Sequence, residues 1–73
     1  MLYYKKQNMI FYKLDEVQKN FLEVFESSSQ TRLMSVEGQK QYDELLERIQ
    51  TSGFEPCSSE EFEERLLSVK SKF

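Results

Sequence analysis

Seventy-three residues, a formal net charge of −3, one cysteine and no histidine bound what this chain can be. A chain this short makes one domain, residues 1–73, and buries only about 60% of the surface its unfolded form exposes, so its core is marginal. Cys57 has no second cysteine to bridge to, and the usual zinc sites lack their Cys and His ligands. Self-association, or contact with a partner, is the remaining inexpensive route to stability.

The N-terminal stretch MLYYKKQNMIFYKLDEV is aromatic and basic. Lys5, Lys6, Gln7 and Asn8 interrupt it, so it lacks the continuous apolar core of a secretory signal. No run approaches the ~20 apolar residues of a membrane span. With its unpaired thiol, the chain is expected in the cytoplasm. Residues 1–20 carry a net charge of +2, and the rest sum to −5.

At 100° per residue, Ile10, Phe11, Leu14, Val17, Phe21, Val24 and Phe25 share one face, which predicts a helix over about 9–27. A second reading begins the helix at Asp15, which has Gln18 three residues on in a capping arrangement. Leu2–Lys6 and Met9–Lys13 are then short strands joined by Gln7-Asn8, a turn without the favoured glycine. Ser27–Gln30 reads as a loop and Arg32–Met34 as a short extended piece.

Ser35 is a candidate N-cap for a helix over about 36–51, whose stripe is Tyr42, Leu45, Leu46 and Ile49. Gly53 stands where a left-handed residue ends a helix, Phe54 can fold back on Ile49, and Pro56 blocks continuation. Ser58 and Glu61 form a capping box for a helix over about 59–72, with Cys57 and Phe62 at the staple positions. Phe62, Leu66, Val69 and Phe73 form its apolar face. The expected fold is mainly α, three helices with the last two as an antiparallel hairpin. The alternative is α+β, with a short N-terminal strand or hairpin before the helices.

Chemistry is sparse. Cys57 at a helix start could be a reactive thiol, but Glu60, Glu61, Glu63 and Glu64 oppose thiolate formation and no histidine can serve as its base. The same glutamates read as a solvated face complementing the helix dipole. No glycine-rich phosphate cradle is present. No catalytic residue, metal or cofactor is expected, and the chain reads as a non-enzyme.

Six of the ten aromatic residues fall in the first 25 positions. Tyrosine and methionine beside lysine are residue types that interfaces use. Tyr3, Tyr4, Lys5, Lys6, Met9, Tyr12 and Lys13 are the expected partner-binding set. The sequence therefore predicts a small protein–protein interaction module that regulates or inhibits a larger intracellular protein, of a size common among phage and mobile-element regulators. Three alternatives stand beside it. The basic aromatic end could bind nucleic acid, though the acidic remainder disfavours this. Asp43, Glu44, Glu47, Glu60, Glu63 and Glu64 could imitate a phosphate backbone if they shared one surface. A purely structural homo-oligomer, a dimer foremost, is the third.

Overall fold

The computed structural model describes residues 1–73. Residues 2–37 form a meander of four strands, β1 (Leu2–Lys6), β2 (Ile10–Asp15), β3 (Asn20–Glu26) and β4 (Thr31–Glu37). Helix α1 (Gln39–Thr51), the two-residue β5 (Glu55–Pro56) and helix α2 (Ser59–Lys70) follow. Every pairing is antiparallel and the strand order is β4-β3-β2-β1-β5. The chain is α+β, which corrects the expected mainly α three-helix domain.

The helix predicted over 9–27 is in fact β2, a turn and β3. Six of the seven residues on its apolar face lie in β2 and β3 and recur at helical spacing because both faces of these strands are covered, whereas Val17 sits in the turn between them, largely exposed. A strand buried on two sides loses its period of two and reads as a nearly continuous apolar run. Asp15 does cap backbone N–H groups, but in a turn. Its Oδ1 accepts from the N–H groups of Val17 and Gln18, each at 3.0 Å, and Lys19 (φ 55°) turns the chain into β3. The first hairpin is the one the alternative reading drew, with Gln7 and Asn8 both left-handed at φ 55° and Met9 N–H donating to Lys6 O. Only that hairpin of the alternative is present, since no helix starts at Asp15.

The two helices lie on opposite faces of the sheet, not side by side as a hairpin. Tyr42, Leu45 and Ile49 of α1 pack on Tyr12, Leu14 and Phe21. Phe62, Leu66 and Val69 of α2 pack on Phe11 and Val24. Neighbouring residues of one strand thus feed different cores: Phe11 faces α2 and Tyr12 faces α1. Phe11, Leu14, Val24, Leu45, Phe62 and Val69 are essentially inaccessible to water, and each contributes about 1.5–3 kcal/mol by burial.

The helix ends divide by how local their signals are. Ser58 caps α2, its Oγ accepting from Glu61 N–H at 3.1 Å, and Cys57 packs against the same core as Phe62. Gly53 (φ 76°) ends α1 and Phe54 joins the α1 core, as read from the sequence. Ser35 is no cap. It lies within β4, and α1 starts three residues after the expected 36, behind Gly38. Gly38 adopts φ 119°, a conformation that side-chain-bearing residues avoid, and its N–H bonds Lys19 O at 3.2 Å. Gly38→Ala is expected to lower the unfolding free energy by about 1–3 kcal/mol in urea titrations, the usual cost of such strain. An unchanged midpoint would show that the β4–α1 junction tolerates a side chain there.

Candidate functional site

The expected partner-binding residues do not form one surface. Tyr3 faces α2, its ring 5.5 Å from that of Phe62, whereas Tyr4 is half-buried against the α1 core. Tyr12 is 2% exposed, and its hydroxyl donates to Glu23 Oε1 at 3.3 Å. Met9 remains 37% exposed in the first turn.

The lysines of the set are already engaged within the molecule. Lys5 pairs with Glu61 and lies 3.8 Å from Glu55, and its amine is held above the ordinary lysine range chiefly by the Glu61 hydrogen bond. Lys13 approaches Glu63 at 4.0 Å, and Lys6 lies over the Phe54 ring. The basic N-terminal strands and the acidic start of α2 thus complement one another on the face that α2 covers. The acidic residues divide as well. Asp43, Glu44 and Glu47 belong to the helix on one face, and Glu60, Glu63 and Glu64 to the helix on the other.

Cys57 is half-buried, and burial, followed by the charge of Glu61, pushes its thiol above the usual range. That is the reverse of what a nucleophile needs. Two open concavities exist. One, of about 260 Å³, is lined by residues including Lys13, Asp15, Asn20 and Ser35. The other, of about 390 Å³, lies beside Glu26, Glu61, Glu64 and Arg65. In it Glu26 is held by Arg65 at 2.6 Å, by Lys72 and by Ser68, and the Lys72 hydrogen bond foremost keeps its carboxyl below the ordinary range.

The feature that sequence reading missed is the free edge of β4. Its seven residues pair with β3 from Thr31↔Glu26 to Glu37↔Asn20 without a bulge, and nothing pairs on its other side. Ser27 N–H bonds Gln30 O and Gly38 N–H bonds Lys19 O, marking hydrogen-bonded pairs at both ends of this ladder. Antiparallel pairs alternate, so Arg32, Met34 and Val36 exchange bonds with β3. Thr31, Leu33, Ser35 and Glu37 direct their N–H and C=O groups outward. Met34 is 42% exposed on the α1 side. Beside it Arg32 reaches Glu23 Oε1 at 3.2 Å and covers the Phe25 ring. The opposite edge is guarded, because β5 has only two residues, Glu55 and Pro56, and shortness, charge and proline all discourage strand addition.

Glu23 is the only buried charged residue, 5% exposed, and Tyr12 and Arg32 share one of its oxygens. No protein-family model matches the chain, and no curated protein or solved structure shows significant similarity to it.

Burial, and then the Glu23 charge, raise the Tyr12 phenol to about 12. The fold favours the neutral form, so this contribution is complete below pH ~10, where an unfolded tyrosine ionises, and is lost as pH rises towards the folded value. Phenolate absorbance is expected to show a step near pH 12 that is absent from Tyr12→Phe. Stability should decline across the same interval. A wild-type curve from which Tyr12→Phe removes only a step centred near pH ~10 would mean that Tyr12 is solvated.

Proposed function

We propose that the protein is a non-enzymatic interaction module that regulates or inhibits a larger protein by direct binding, and that it does so by taking a strand of that protein onto β4. The observation that carries this reading is the seven-residue edge with outward backbone groups and no proline, lysine or bulge. Such an edge is a template for strand addition, in which main-chain hydrogen bonds supply affinity and alternate side chains supply selectivity. Met34, with the Arg32–Phe25 pair, flanks the added strand on one side, and Leu33 on the other.

Two further observations favour this reading over nucleic-acid binding and over phosphate mimicry. The N-terminal lysines are matched by glutamates or lie over aromatic rings, which leaves little free positive charge for phosphates. The acidic helices point away from each other, so they offer no single phosphate-like surface. Tyr3, Tyr4 and Tyr12 serve in this reading as the platform beneath the helices. A reducing compartment such as the cytoplasm suits the unpaired Cys57, and no helix is long and apolar enough to cross a membrane.

Ser35→Pro provides the test. Position 35 points its N–H away from β3, so proline there removes no bond of the sheet but blocks an incoming strand. In quantitative capture from a lysate of the encoding organism, a stoichiometric protein is expected with the wild type and a loss of ten-fold or more with Ser35→Pro. Circular dichroism should be unchanged. Equal capture by both, or no stoichiometric partner at all, would overturn the reading.

A further inference from the structure

We infer that the β4 edge also pairs with β4 of a second copy, antiparallel about a twofold axis through Met34, joining two five-stranded sheets into one. This inference rests on the reading of β4 as an open edge and names another occupant for it.

The register follows from the positions already described. The outward groups belong to Thr31, Leu33, Ser35 and Glu37, which are disposed symmetrically about Met34. An antiparallel twin aligned on Met34 therefore meets each outward group with one of its own. Leu33 exchanges bonds with Ser35 of the second copy, and Thr31 with its Glu37. Side chains agree with the backbone. Arg32 lies near one end of the strand and Glu37 at the other, so antiparallel pairing sets no charge against its like. Arg32 faces Val36 of the second copy, and the Glu37 carboxylate faces the hydroxyl of its Thr31. Parallel pairing would place Arg32 on Arg32 and Glu37 on Glu37. At the centre Met34 meets Met34 of the second copy, covering the exposed apolar side chain of this strand.

Self-pairing answers the need set by the small core as well. Only 12 of the 73 residues are buried in the single copy, and closing the free edge extends the ordered sheet without a new core. Because both occupants use the same backbone groups, self-pairing and capture of a larger protein exclude each other. The dimer keeps the edge closed until a partner strand displaces one copy.

Light scattering on the purified protein at tens of micromolar is the test. The wild type is expected at twice the 8.8 kDa chain mass, and Ser35→Pro at the single mass with unchanged circular dichroism. Register is read by cross-linking in a Cys57→Ser background. Directly opposed residues in a non-hydrogen-bonded pair lie about 4.5 Å apart at Cα, within reach of a disulfide. Met34→Cys should therefore link two chains under mild oxidation. Glu37→Cys should not, because six residues of strand separate the two copies of that position by ~20 Å. A wild type that stays single over this range overturns the inference. So does a double mass that survives Ser35→Pro, or linking at position 37 in place of 34. If the wild type is single yet captures a protein that Ser35→Pro loses, self-pairing fails and the proposed function stands. If the dimer forms as described and no partner is captured, the reverse holds.

Discussion

The structure depends on two strands being dry on both sides. β2 and β3 lie at the centre of the sheet and supply Phe11, Tyr12, Leu14, Phe21 and Val24 to the two cores. One helix could not cover both, so the chain places α1 over one face and α2 over the other. A 73-residue protein thereby builds three layers, each core only a few side chains deep. Glu23 is the cost of this arrangement. It falls at a position that must face the α1 side, and the Tyr12 hydroxyl and the Arg32 guanidinium compensate its burial. A carboxylate buried without such partners would cost several kcal/mol, because its charge would be taken out of water with nothing in return.

Electrostatics reinforce the layering. The charge imbalance along the sequence is an internal complementarity, since the basic strands β1 and β2 meet the acidic first turns of α2 through Lys5–Glu61 and Lys13–Glu63. At the other end of α2 the signs reverse, with Arg65 and Lys72 on Glu26 of β3. The helix is thus aligned by pairs of opposite polarity at its two ends. Exposed pairs of this kind contribute little stability each, but sliding or inverting the helix would bring like charges together.

The sequence disclosed what is local and concealed what is not. Ser58 and Gly53 act within a few residues and are found in their expected roles, whereas Glu61 gives Ser58 its backbone N–H but turns its carboxylate to Lys5, and Phe54 packs into the α1 core with its ring beside Tyr12. Of the predicted stripes, Tyr42–Leu45–Ile49 and Phe62–Leu66–Val69 are helical and buried as their spacing implies, whereas Leu46 is only partly buried and Phe73 lies beyond α2, largely exposed. Residues 9–27 misled because the apolar positions of two doubly buried strands mimic a helical period, and because the capping geometry of Asp15 serves a turn as well as a helix. Which face each helix covers, and that β4 ends the sheet, depend on pairings between distant segments that no local pattern encodes. The expected partner-binding set rests on composition alone. Lys5 and Lys13 find their counter-charges on α2, near the far end of the chain, and Tyr3 and Tyr12 pack under different helices.

Element order governs what the chain exposes while it is being made. Four strands leave the ribosome before either helix exists, and the helix that seals the second face comes last. For that interval the nascent meander presents bare Phe11, Leu22, Val24 and Leu33 on one side, together with an unprotected border. Transiently exposed apolar surface and unpaired strand edges are what make folding intermediates associate. Translation speed through the codons of the two helices, and any chaperone waiting at the exit tunnel, therefore bear directly on the yield of this fold.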